Sequence, residues 1–393
     1  MKRVLLATAA ATTACVFPPF LLGAMAVQVR ADLGFSEAGT GLGVAAFFAS
    51  ASVFSAALGR WAERRGGGRG LRQAALGSAA MQVAIAGLAG SLPALLVLLA
   101  LAGTANALAQ PAANLVISQA LPLHRQGLGF AVKQSAIPAS TMLAGLAVPA
   151  IALTAGWRWA FVGSGLLSLA SAAVVPAEGR WRGRPAPAAF EGSGRAPMAT
   201  MAVLSLGIAL GAAAAGTLGA FLVSAGVEAG LAPGTAGLTL TLGSAVGITV
   251  RLLAGLRADR RRGGHLRVVA VMLALGSVAF VLLATGRPGV IVAAVPLAFG
   301  AGWAWPGLFN LAVVLANPGS PAAATGITQT GTYLGAVAGP LVFGFLAEHV
   351  SFAAAWLVAA AAAAGAAVAI WVGRSMLRRT RLAAGEPLPP VPA

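Results

Sequence analysis

Long apolar runs constrain this chain more than any other feature. From Val4 to Val372, stretches of about 20 residues or more follow one another, broken only by short clusters of charge or of glycine and proline. A helix of that length crosses a hydrocarbon core about 30 Å thick. Twelve spans are predicted: Val4–Val29, Glu37–Leu58, Leu71–Gly90, Pro93–Ala120, Gly127–Thr154, Trp157–Pro176, Met198–Ala225, Pro233–Leu256, Leu266–Thr285, Gly289–Leu315, Pro321–Ala347 and Phe352–Val372. Only 9% of the 393 residues are charged, against about 25% in soluble domains, so the chain lacks the polar groups to cover a water-facing surface. A soluble enzyme and a disordered chain are excluded, and the single Cys15 excludes a disulfide scaffold. Lys2, Arg3 and the run up to Cys15 have the outline of a signal peptide, but hydrophobicity continues to Val29 and removal would leave an odd number of spans.

The net charge of +17 is explained by where the charges fall. Numbering the spans from an inside N-terminus, 21 of the 26 basic residues lie in inside segments: Lys2 and Arg3, the stretch from Arg60 to Arg72, Arg125, the segment from Arg180 to Arg195, the stretch from Arg257 to Arg267, and the tail from Arg374 to Arg381. Outside segments hold Arg30, Arg158 and Arg287, while Lys133 and Arg251 lie within spans. This asymmetry predicts a multi-pass protein of the cell membrane with both termini in the cytoplasm. A nucleic-acid role has no aromatic-interleaved basic domain behind it.

The two halves repeat at an offset of about 195 residues. Gly59-Arg60-Trp61-Ala62-Glu63-Arg64-Arg65-Gly66 follows span 2, and Gly255-Leu256-Arg257-Ala258-Asp259-Arg260-Arg261-Arg262-Gly263 follows span 8. Pro111 with Asn114-Leu115 matches Pro306 with Asn310-Leu311, Leu121-Pro122 matches Asn317-Pro318, and Gln134 falls on Gln329. The order predicts an all-α membrane protein of twelve helices in two pseudo-symmetric bundles: residues 1–176, a cytoplasmic loop 177–197 rich in arginine and proline, residues 198–373, and a tail 374–393.

This order, with its Gly-x-x-x-(Asp/Glu)-Arg loop, resembles the major facilitator superfamily over essentially the whole chain. The resemblance implies a cytoplasmic latch joining helix ends in one state of a transport cycle, carried here by Gly59, Glu63, Arg64, Gly66 and Arg69, and in the second half by Gly255, Asp259, Arg260 and Gly263. Glu63 stands where the family usually has Asp, and the second copy has one extra arginine before its glycine. The bland reading is that these arginines serve orientation only, as those after span 12 do. Gly335-Ala336-Val337-Ala338-Gly339-Pro340 is similar to the family's antiporter phrase but stands in span 11 rather than span 5. The span 5 counterpart, Gly145 to Pro149, lacks the second glycine, and Leu99 lies near the place of an arginine common in drug exporters; both departures weigh against an exporter.

Ionisable groups inside a membrane are costly, so each is a candidate for function. Asp32, Glu37, Glu228 and Glu348 fall at outside ends of spans, and Glu63, Glu178 and Asp259 at inside ends. The deep charge is Lys133, about 12 Å past Arg125 along a helix. It has three readings: a partner for an anionic substrate or a gate, a snorkelling side chain, or a donor to helix carbonyls. Arg251, four residues before Gly255, is read as snorkelling or as a latch partner. Candidate cavity residues are Lys133 and Gln134; Asn106, Gln110 and Asn114, which share a face of span 4; Gln329 and Tyr333 in span 11; and Trp303 and Trp305 beside Pro306. The competing reading of the amides is inter-helix hydrogen bonding. Pro18-Pro19, Pro138, Pro149, Pro306 and Pro340 are candidate helix breaks.

His124, His265 and His349 are scattered, so no metal site is predicted, and no cofactor is expected. A phosphate-binding Gly-x-x-x-x-Gly-Lys motif and a polar catalytic pair are both missing, so neither ATP drive nor an intramembrane enzyme is expected. The expected function is secondary active transport of a small anion or organic acid by alternating access; the Lys-Gln-Ser phrase is similar to the cyanate- and nitrate-permease-like branches. The alternative is a proton-coupled exporter of drugs or metabolites, and a third reading is a non-transporting receptor. Expected partners are the solute, lipids and a proton as candidate coupling ion, with the protein a monomer.

Overall fold

A computed structural model describes residues 2–121, 123–175, 196–260, 263–317 and 321–383; within these, the side chains of 123–128, 259–260, 321–323 and 381 are excluded. The described chain is helical, without strands. The first set comprises α1 (Lys2–Ala24), α2 (Ala26–Leu33), α3 (Glu37–Arg65), α4 (Gly67–Leu88), α5 (Leu92–Ala120), α6 (Leu123–Gln134), α7 (Ala136–Ala147) and α8 (Trp157–Val174). The second comprises α9 (Met198–Glu228), α10 (Pro233–Arg260), α11 (His265–Leu283), α12 (Pro288–Leu297), α13 (Pro306–Ala316), α14 (Pro321–His349) and α15 (Phe352–Ala383). Wider π-turns occupy Val148–Ala152 and Ala298–Trp303. Together they trace the twelve predicted spans, three of them in pieces. Ten are long and apolar enough to cross a membrane. The other two, α4 and α8, are diluted by Arg69, Arg72 and Gln82 and by Arg158 and three serines, yet they pack against each other in the same bundle.

The breaks follow from backbone chemistry. Proline has no N–H, so the carbonyl four residues earlier loses its helical partner. In α1, Pro18 frees the Ala14 carbonyl, which accepts from Ser78 Oγ (3.1 Å) and Gln82 Nε2 (3.3 Å) of α4, so the helix stays continuous through the Pro18-Pro19 pair. The break comes later, at Met25. Pro306 frees the Gly302 carbonyl, which accepts from the Trp305 indole at 2.9 Å. Pro138 frees the carbonyl of Gln134, where α6 stops.

α1 and α9 are apolar on every side and form the centre of the bundle. They cross at Gly23, where a Cβ would stand 2.5 Å from the Gly219 carbonyl. Outward, Val53, Leu88, Leu166, Leu334 and Val368 remain exposed, an apolar belt suited to lipid.

Three apolar cores hold the helices. One is shared by both sets and includes Phe20, Phe47, Phe221, Phe299 and Trp303. It lies toward the end carrying Asp32, Glu37, Glu228 and Glu348, here the acidic end. The other two lie toward the end carrying Gly59–Arg72 and Gly255–Gly263, here the basic end. One contains only first-set residues, among them Leu71, Ala74 and Ala112, and the other only second-set residues, among them Leu273, Trp305 and Phe309. The two sets are thus fused at the acidic end and separately cored at the basic end.

Glycines set the closest helix approaches. Gly331, Gly335 and Gly339 form a stripe on α14 against α9, where a Cβ on Gly335 would meet Ala213 N at 2.8 Å and one on Gly339 would meet Ala213 Cα at 2.7 Å. The Gly-x-x-x-Gly-Pro phrase is thus a packing surface inside the second set. Gly335→Val is expected to destabilise the protein by at least about 1–3 kcal/mol, the usual cost of overpacking, visible as a lower melting temperature in detergent.

Candidate functional site

The site lies where α6 gives way to α7, facing α10 and the second π-turn. Lys133, in the last turn of α6, is 6% exposed. Its ammonium makes no hydrogen bond or ion pair among the described residues, so a donor to helix carbonyls is not what the structure shows. The next residue, Gln134, offers the carbonyl freed by Pro138. Arg251 of α10 takes it, donating from Nη1 at 2.8 Å, while Nη2 donates to the Trp303 carbonyl at 2.6 Å. Arg251 is 9% exposed, and its Nε is buried without a partner. This differs from both sequence expectations for Arg251: its head neither snorkels to the surface nor pairs with a latch acid, because two helix-end carbonyls nearby need donors.

Trp303 joins this cluster. Its ring lies 5.9 Å from Phe20 and 5.4 Å from Phe299, centroid to centroid, at the junction of the two sets. Gln134, Arg251 and Trp303 are therefore joined through the two hydrogen bonds of Arg251, with Lys133 the chain neighbour of Gln134. Trp305 stands apart: it is 1% exposed in the private core of the second set, packed edge-on against Phe309. Asn106 is buried and accepts from Gln110 Nε2 at 3.1 Å, whereas Asn114 is exposed. Gln329 is exposed, and Tyr333 is half-buried on α14, on the side facing Ser55 of α3. The α5 and α14 amides thus sit on separate helices from the lysine cluster.

At the basic end, Glu63, Arg64 and Arg69 are exposed, and Gly66 adopts φ +97° to turn the chain into α4. A Cβ built on Gly59 would lie 3.6 Å from Pro111 Cβ, an ordinary contact, whereas one on Gly67 would stand 3.0 Å from the Ala112 carbonyl. Gly255 faces Ala131 at 3.8 Å, and Gly263 lies just before α11. The side chains of Asp259 and Arg260 lie outside the described residues.

The acidic end is closed by polar contacts. Arg30 pairs with Glu37, and Arg158 with Asp32, whose second neighbour is the Trp157 indole at 3.1 Å. The Arg158 hydrogen bond, then that of Trp157, holds the Asp32 carboxyl below its ordinary range. Across the sets, Glu348 of α14 accepts from Ala38 N at 3.0 Å and so caps α3. Glu37 is 7% exposed with Oε2 unpartnered, a buried carboxylate that its position at a span end did not reveal. Arg30, seven residues earlier across the Gly34 turn, was the available signal. A small cleft of about 120 Å³ at this end, bordered by Glu228, Ile291 and Trp356, is remote from Lys133 in the fold.

The sequence model of the Major Facilitator Superfamily matches residues 4–262 and 204–392. No curated protein matches the chain in sequence. Among solved structures, a bacterial homolog of the human lysosomal transporter Spinster, inward-facing and occupied, is 17% identical with a TM-score of 0.71, covering 99% of this chain and 98% of its own. A D-xylose–proton symporter is 16% identical at TM-score 0.74, covering 94% and 97%. The nucleoside transporter NupG is 13% identical at 0.70, covering 95% and 99%. At these identities the likeness establishes the fold alone.

Proposed function

The chain belongs to the Major Facilitator Superfamily, and from that premise we propose that it carries a small anion or organic acid across the cytoplasmic membrane. It is a multi-pass membrane transporter rather than an enzyme. In our reading, two six-helix halves, residues 1–176 and 198–373, rock about the Lys133 cluster. They are linked by a cytoplasmic loop 177–197 and followed by a cytoplasmic tail 374–393, so the basic end faces inward. The exposed Glu63 and Arg64, with Asp259 and Arg260, act as the latch that forms when the basic end closes.

The observation that carries the anion reading is the unpaired, buried Lys133. An ionised amine inside a membrane protein costs several kcal/mol unless a counter-charge compensates it. The described carboxylates lie at the two ends of the bundle, and Arg251 of α10, bonded to the carbonyl of the residue after Lys133, is a further buried cation. A solute anion compensates Lys133. Small anions (formate, acetate, nitrate, cyanate) are expected to raise the melting temperature of the purified protein, while amphipathic cations leave it unchanged; the reverse pattern would defeat the anion reading. The second reading, a proton-coupled exporter, is favoured by one observation, the buried Glu37 with an unpartnered oxygen. Its mark would be stabilisation by the cations.

A further inference from the structure

In the sequence the arginines after span 12 carry only an orientation signal, yet the structure gives two of them a third partner. α15 does not stop at the predicted Val372 but continues to Ala383. Arg374 and Arg378 therefore stand one helical turn apart on one face, a spacing at which like charges repel. α11 packs along α15, and Arg267 in its first turn brings another guanidinium. The three lie within reach of one another's charge: partial burial, then Arg378 and Arg267, holds Arg374 below its ordinary value. Among the described residues no carboxylate pairs with any of them. The run from Arg60 to Arg72, by contrast, carries Glu63 within it.

These charges also terminate an apolar surface. On α11, Arg267 is followed at helical spacing by Val271, Leu275 and Val278, all exposed. On α15, the exposed Val368 and Trp371 precede Arg374 and Arg378 at the same spacing. The Arg374 guanidinium lies 5.1 Å from the Trp371 ring centre, a cation–π contact at the edge of the stripe. An exposed tryptophan beside arginines is the pattern of a helix at the headgroup level of a bilayer. Guanidinium groups grip phosphate oxygens through parallel N–H groups. A free anion would need the charges alone, whereas a ligand with acyl chains uses the adjoining stripes as well.

We propose that Arg267, Arg374 and Arg378 form a binding site for one anionic phospholipid at the basic end, its phosphate held by the guanidinium groups and its chains lying along α11 and α15. The site belongs wholly to the second set and uses neither Lys133 nor the solute. Two helices supply ligands to one phosphate, so the lipid ties their ends together. Selectivity follows the net charge of the headgroup, since a choline group would bring a positive charge to a place already holding three.

The test follows energy transfer from the tryptophans of the full chain, in detergent, to a pyrene-labelled phosphatidylglycerol. Unlabelled dioleoyl phosphatidylglycerol is expected to displace the probe at concentrations about tenfold or more below those needed with dioleoyl phosphatidylcholine, which has the same chains. Arg267→Gln, Arg374→Gln and Arg378→Gln are each expected to weaken phosphatidylglycerol binding about fivefold, and the triple variant to erase the preference. A control losing three exposed basic residues of the first set, Lys2→Gln, Arg3→Gln and Arg60→Gln, is expected to keep it. The single variants carry the test should the triple variant not fold. Equal displacement by the two lipids in the parent overturns the proposal. So does a preference that survives in the arginine variants, or one that falls as far in the control. Sodium phosphate, compared with sodium chloride at equal ionic strength, separates the lipid from a free anion: displacement of the probe by phosphate alone would reveal a plain anion site and would also overturn the proposal.

Discussion

Replacing Lys133 by alanine is expected to abolish transport while leaving the protein folded. The lysine is buried without a protein partner, so its removal leaves no carboxylate stranded and opens no ion pair. Thermal unfolding should therefore stay at the parental temperature or rise. The solute, by contrast, loses a desolvated counter-charge, which in buried pairs costs about 2–5 kcal/mol, or roughly 30-fold to several thousand-fold in affinity. Uptake into proteoliposomes measures the first effect and differential scanning fluorimetry the second. Transport that survives unchanged would show that Lys133 is only a buried stem. A variant that unfolds would show that the ammonium holds the helix break together.

The second large effect is expected at Gly145. It faces Gly237 where α7 crosses α10, and each glycine occupies space a side chain would fill: a Cβ on Gly145 would stand 2.5 Å from the Gly237 carbonyl, and one on Gly237 2.7 Å from the Gly145 carbonyl. The obstacle is backbone on both sides, so neither can swing away. Gly145→Leu is expected to disfavour the arrangement joined at the acidic end by about 1–3 kcal/mol, some 5- to 150-fold in population, by the usual cost of overpacking. Alternating access then stalls in one state. The private cores of the two sets are untouched, so the purified variant should remain monodisperse and still be stabilised by the solute. Wild-type uptake by this variant would mean that the α7–α10 contact is not part of the cycle.

Much of the architecture was readable in one dimension, because hydrophobic length and charge position act locally. Helices cover the twelve predicted spans with ends within a few residues, except that α3 and α15 run well past the predicted Leu58 and Val372 to Arg65 and Ala383, and Pro138 marks a real break, displaced to Ser135 because the carbonyl it frees lies one turn earlier. The break at Met25 has no proline to announce it. The site was only partly readable. Lys133 stood out as a lone deep charge, but the role of Arg251 did not, since its acceptors are carbonyls 117 and 52 residues away in the chain. Trp303 and Trp305 looked equivalent beside Pro306, yet a two-residue step around a helix turns them to opposite surroundings, one to the junction and one to a private core. Glu37 looked like an end residue because sequence does not show that α14 lies over the start of α3.

The division of the apolar interior has a consequence for how the chain is made. A six-helix set with its own core can insert and consolidate as a unit while the ribosome is still producing the other, in the manner of a domain that folds N-terminal first. The shared core needs Phe20 and Phe47 from the early chain together with Phe221, Phe299 and Trp303 from the late chain, so it is completed only after nearly the whole protein has emerged. The contacts assembled last in biogenesis are then the same ones that each working turnover undoes and remakes.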